Sequence, residues 1–271
     1  MVLICAVILG RWYLRDTRRR RLMAAPFPSA WKAIVELNVP LYAYLPAPLK
    51  HQLHGHMQVL LAEKQFEGCG GLEMTDEIQV TIAAQAGILL LNRKARYYPR
   101  LHSILVYPST FVSRDVEYVG DHAYVEGTSA RLGESWRSGA LVLAWDSVKH
   151  GAMDFRDGQN VVLHEFAHQL DQEDGRADGA PILEHGSSYA AWARILRKEY
   201  EQMQATVRRG LETVMDEYGA TKPAEFFAVA TETFFEKPHA LKGRHPELYE
   251  ALKNYYKLDP AAWLKDSRTK R

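Results

Sequence analysis

The sequence predicts a mainly helical α+β protein, because long stretches with apolar residues at helical spacing surround only two short β-rich runs. At 271 residues, with 47% hydrophobic and 25% charged side chains, the chain can bury a sizeable core without staples. Its two cysteines, Cys5 and Cys69, form no CxxC pair or disulfide framework, which fits a reducing cytosol. A net charge of +1 gives no overall field toward nucleic acid, so direct nucleic-acid binding is not expected.

Residues 1–22 are an apolar and then arginine-rich segment. Met1–Leu9 is wholly apolar, and Arg15, Arg18, Arg19, Arg20 and Arg21 cluster behind it. The run is shorter than the ~20 apolar residues of a spanning helix, and its positive charge follows the apolar stretch, the reverse of a secretory signal. Residues 1–21 therefore read either as a short membrane anchor or as a free tail, with the body cytoplasmic in both cases.

Residues 23–100 read as a helical N-terminal lobe. Ala47-Pro48 opens a helix to about Phe66, with Leu49, Leu53, Met57, Leu60 and Leu61 at helical spacing. Thr75 is an N-cap for a helix to about Leu91, and Asp76 and Glu77 suit its dipole. Residues 101–271 read as a second lobe. It opens with β-rich runs at Ser103–Tyr107 and Ala140–Trp145, separated by turn-rich sequence holding Gly120, Gly127 and Gly133. Helices follow from about Gly158 to Gln172, Ser187 to Val207, Pro223 to just before Pro238, and Pro246 to Tyr256.

The first of these four helices carries His164-Glu165-x-x-His168. Histidines four apart project from one face of a helix, one turn above the other, so both imidazoles can reach one metal ion. Glu165 flanks that ion without binding it and suits the role of general base toward an activated water. Val161, Val162, Leu163, Phe166, Ala167 and Leu170 make the helix otherwise apolar, so these polar groups would be costly without partners. A catalytic zinc keeps three protein ligands, and position 174, where some HExxH enzymes place a third histidine, is Asp174. The apolar helix from Pro223 offers two carboxylates instead, Glu225 and, one heptad on, Glu232; spacing leaves the choice between them open.

These residues resemble the Mlc titration factor A family. The likeness lies in His164–Asp171 with Gly175–Gly179, in Ser135-Trp-x-x-Gly-x-x-Val-Leu-x-Trp145, in Asp216–Glu225 and in Asp259-Pro260. The resemblance implies a zincin-like catalytic lobe of the gluzincin type, with a small sheet beside the HExxH helix and a core related to lethal-factor-type toxin proteases. It implies one Zn2+ per chain on His164, His168 and Glu225, with Glu165 as base and Tyr218 donating to the oxyanion of a tetrahedral intermediate. It also implies aminopeptidase-like activity on small peptide substrates, and for the founding member binding of a transcriptional repressor. The segment 1–21 is an addition to the founding pattern.

Other residues carry weaker signals. Asp171 shares a face with His164 and could orient a ligand imidazole, as could Glu232 if it is not itself a ligand. His51, His54 and His56 crowd one helix with no carboxylate to complete a metal site. His185 and Tyr189 could line a substrate cleft between the two lobes, and the strand around Val142 could offer an edge to a peptide.

Overall fold

The computed structural model describes residues 2–109, 139–184 and 188–264. Helix α1 (Val2–Ala24) leads into α2 (Ser29–Asn38), a single turn α3 (Leu41–Tyr44) and α4 (Ala47–Glu63). Strand β1 (Gln65–Gly68) follows directly, and then α5 (Asp76–Ile88), whose N-cap Thr75 accepts from the Ile78 amide as expected. Strands β2 (Ser103–Tyr107) and β3 (Ala140–Ala144) complete a parallel sheet of order β1-β2-β3. Its register pairs Gln65 with Ser103 and Ser103 with Ala140.

The sheet differs from expectation at β1. The sequence reading extends the preceding helix to Phe66, whereas α4 ends at Glu63 and the next residues turn into a strand. Four residues, Gln-Phe-Glu-Gly, are too few to show an alternating pattern. Long-range contacts set them instead. The buried Lys64 ammonium donates to the carbonyls of Tyr98 (2.8 Å) and Leu101 (2.7 Å), and the Gln65 amide donates to His102 (2.9 Å). This places β1 alongside β2. The intervening tyrosines Tyr97 and Tyr98 take left-handed backbone angles (φ 59° and 51°), which are costly for bulky side chains. Tyr98 is fixed there by its hydroxyl donating to the Ala86 carbonyl at 2.6 Å.

After the sheet come α6 (Trp145–Met153), α7 (Val161–Asp171) and α8 (Ser188–Arg208), then α9 (Pro223–Glu236), α10 (Pro238–Arg244), α11 (Pro246–Tyr256) and α12 (Pro260–Trp263). Helices α7, α8, α9 and α11 fall within a few residues of the predicted spans. Prolines open α9, α10, α11 and α12, where a missing amide costs nothing. Helix α7 is central. It packs on α9 on one side and on α5 and α6 on others. The Tyr98 ring meets the α7 side chain Phe166 edge-on at 4.7 Å, so the face between the first hundred residues and α7 is filled with core at this point. Strand β3 is the end strand among the described residues, and Val142 on it is half-buried. Glycines 120, 127 and 133, His185 and residues 135–138 lie outside the described residues.

The three clustered histidines are structural. His54 stacks on Phe27 with ring centroids 3.9 Å apart and bonds the Tyr42 hydroxyl at 2.9 Å, while His51 is exposed. His56 is buried against the Tyr97 hydroxyl (2.9 Å), and burial pulls its pKa from 6.5 down to about 4. Between those two values the unfolded chain takes up a proton that the folded chain excludes, so stability falls as pH drops through this window. The loss at full extent, below the lower value, is about 3 kcal/mol. Urea unfolding across pH 4–7 should therefore show a shallower acid slope for His56→Phe than for the wild type. Equal slopes would mean that His56 is not held neutral by burial.

Candidate metal centre

The site forms where α7 and α9 cross. Asn160 caps α7, its side chain accepting from the amides of Val162 (3.1 Å) and Leu163 (3.0 Å). The capped helix then presents His164 and His168, 2% and 1% exposed, from one face. Glu225 enters from the first turn of α9. Its Oε2 lies 3.1 Å from His164 Nε2 and 3.1 Å from His168 Nε2, and the two nitrogens are 3.2 Å apart. These three are the one group among the described residues whose donor atoms converge as a metal site would.

The donor set fits a metal ion. Ligands held at about 2.0–2.1 Å around a tetrahedral ion stand about 3.3–3.4 Å from one another, close to the 3.1–3.2 Å seen here. Lone pairs explain the fit further. His164 Nδ1 lies 2.6 Å from Glu232 Oε1, a contact that places the ring proton on Nδ1 and turns the Nε2 lone pair toward Glu225. A carboxylate oxygen and an imidazole lone pair repel unless a proton or a cation lies between them. Without a cation the proton must serve. Burial lowers the His164 pKa, but the Glu232 charge and hydrogen bonds with Glu225 and Glu232 outweigh it and hold it well above the ordinary value. Burial likewise raises Glu225, yet its bonds to both histidines hold it well below the usual carboxylate range. The site can therefore hold a positive charge, as a proton or as a metal ion.

Glu225 and Glu232, which spacing could not separate, have different places. Glu225 meets both Nε2 atoms, and Glu232 stands behind the His164 ring. The second Glu232 oxygen accepts from the Asn160 amide at 2.6 Å. One turn on, Glu236 accepts from the Asn160 side chain (3.0 Å) and the Gly158 amide (3.1 Å). Sequence reading missed Asn160 and Glu236. An asparagine just before an apolar helical run is a cap signal, and Glu236 continues the stripe of Glu225 and Glu232.

Glu165 is 4% exposed, and its Oε2 has no hydrogen-bond partner among the described residues. Burial raises its pKa, with the histidines opposing and the neighbouring carboxylates adding to the rise. The Tyr218 ring lies 6.1 Å from the His164 ring, on a short 3₁₀ turn (Glu217–Ala220) whose start is capped by Asp216. Asp171 accepts from the Gly179 amide at 2.9 Å. Gly179 itself has φ +76°, and an added Cβ would stand 2.5 Å from the Pro223 carbonyl. Asp171 thus ties the end of α7 to the start of α9. The Tyr189 hydroxyl accepts from the Leu183 amide at 3.0 Å.

A buried HExxH helix crossed by a carboxylate-bearing helix defines a metallopeptidase-type centre. The family model described as glucose-regulated metallo-peptidase M90 matches residues 14–257, and the chain belongs to that family. An uncharacterized protein of Synechocystis sp. is 43% identical over 258 residues, covering 95% of this chain and 94% of that protein. Mlc titration factor A of Yersinia pestis (strain Pestoides F) is 34% identical over 259 residues, 94% of this chain and 92% of its own length. The Mlc titration factor A of Yersinia pseudotuberculosis serotype O:3 matches to the same extent.

Metal titration followed by elemental analysis should find one divalent ion per chain, lost in His168→Ala and Glu225→Ala. Glu232→Ala should retain the ion but bind it about 10–100-fold more weakly. The opposite ranking of the two glutamates would exchange their roles.

Proposed function

We propose that the chain is a zinc-dependent metallopeptidase with aminopeptidase-like action on peptide substrates. The observation that supports this most is the triangle of His164 Nε2, His168 Nε2 and Glu225 Oε2, within 3.2 Å of one another beside the buried Glu165. Two imidazoles and one carboxylate are a zinc-type donor set that leaves a fourth position open, as catalytic sites require. Zinc held by these three donors would supply Lewis-acid activation of a water and of the peptide carbonyl.

The chain's own residues account for the remaining steps. Glu165 takes the proton from the attacking water and delivers it to the departing amine. Its burial and its free oxygen suit a base that must change protonation state during turnover. The Tyr218 phenol donates to the oxyanion of the tetrahedral intermediate. Glu232 keeps the His164 proton on Nδ1 so that Nε2 remains a ligand, and Asp171 holds the two helices in register.

A second reading rests on the names of the Yersinia relatives, which describe titration of Mlc. On it the chain binds and sequesters a transcriptional repressor, and peptide cleavage is secondary. Both readings put the body in the cytoplasm.

Glu165→Gln should keep its metal and lower kcat on peptide substrates by about 10²–10⁴-fold. Tyr218→Phe should lose roughly a hundredfold in kcat with little change in KM. Undiminished turnover in Glu165→Gln would overturn the peptidase mechanism. Capture of a repressor that persists in Glu165→Gln, in a protein without measurable turnover at wild type, would make sequestration the function.

A further inference from the structure

The described side chains between residues 10 and 15 of α1 are exposed. These residues are Gly10, Arg11, Tyr13, Leu14 and Arg15, with Tyr13 at 65% and Leu14 at 68%. At about 100° of rotation per residue, these five positions span an arc of about 200° on the helix. Docking begins further along. The Arg19 guanidinium grips the Glu63 carboxylate at 2.7 and 2.6 Å and lies 4.5 Å above the Tyr97 ring. Arg18 donates to the Ala62 carbonyl, and Leu22 and Met23 pack on the core. The helix is therefore clamped toward its C-terminal end.

The sequence of the other end has a particular chemistry. Val2 to Leu9, in the same helix, are apolar without exception, and six arginines follow by residue 21 against one acid, Asp16. Asp16 pairs with Arg20. Arg11, Arg15, Arg18 and Arg21 have no ion-pair partner among the described residues. The family match spans residues 14–257 and so begins after the apolar stretch. No helix among the described residues is long and apolar enough to cross a membrane.

We propose that this end of α1 lies in the interface of an anionic lipid bilayer. The apolar sequence of residues 2–9, with the exposed Tyr13 and Leu14, suits the acyl boundary, and Arg11 and Arg15 meet lipid phosphates. A second copy of the helix is a poorer occupant, because it would bring the same arginines together, whereas an anionic surface neutralises them. The Arg19–Glu63 clamp then makes α1 a stiff strut that holds the body at a set distance from the lipid. This inference is independent of the metal centre.

The test is flotation of the full chain with vesicles of equal parts phosphatidylcholine and phosphatidylglycerol, against phosphatidylcholine alone. The expected result is binding to the anionic vesicles only, weakened by added salt. The double variant Arg11→Glu, Arg15→Glu should lose at least about tenfold in binding while its metal content stays unchanged. Absence of binding to anionic vesicles, or binding that the double variant retains in full, would overturn the proposal. So would a dimer in solution that Leu14→Asp dissolves in a chain that ignores vesicles.

Discussion

The structure depends on one pairing, that of α7 with α9 through three carboxylates. Glu225, Glu232 and Glu236 lie on a single stripe of a buried, otherwise apolar helix, an arrangement that would be costly if any of them lacked a partner. Each takes its partner from α7 or the residues just ahead of it. Glu225 meets both histidines, Glu232 meets His164 and the Asn160 amide, and Glu236 meets the Asn160 side chain and Gly158. The two helices therefore cannot slide past one another without stranding buried charge. The same register that packs the core sets the geometry of the donor triangle.

Glu225 and Glu236 are not electrically equivalent, which eases the crowding of carboxylates in so small a volume. Burial would raise Glu225, but two histidine contacts drive it down, and it stays charged. Burial raises Glu236 well above its ordinary value, over the lowering effect of its bond from Asn160, so it is held neutral. Three charges crowded together would repel strongly in a medium of low dielectric. The carboxylate facing both histidines is held ionised by them. At the far end of α7, burial moves Asp171 up to about 6 in spite of the Gly179 amide bond, and that bond joins the helix to the loop that reaches Pro223.

Much of this was legible in the sequence because it is local. Thr75 before two acids, and Pro223 and Pro246 at helix starts, are start signals within one turn of chain. The His164 and His168 pair shares a face for the same reason, since a spacing of four fixes it wherever the helix goes. Strand β1 was not legible. Its four residues carry no period, and their place depends on carbonyls more than thirty residues away, at Tyr98 and Leu101.

The sequence by itself determined where the helices lie, that one of them carries a metal-type motif, and that the partner carboxylate comes from the helix at Pro223. Only the tertiary structure decided which glutamate faces the two Nε2 atoms and which stands behind the ring. Glu225 and Glu232 are a heptad apart on one face, so nothing local distinguishes them. The choice lies in how far α9 is displaced along α7, and that offset is set by Asn160, Glu236 and the Asp171–Gly179 tie acting across the core. An interhelical offset is a property of two packed surfaces and has no expression in the spacing of either one.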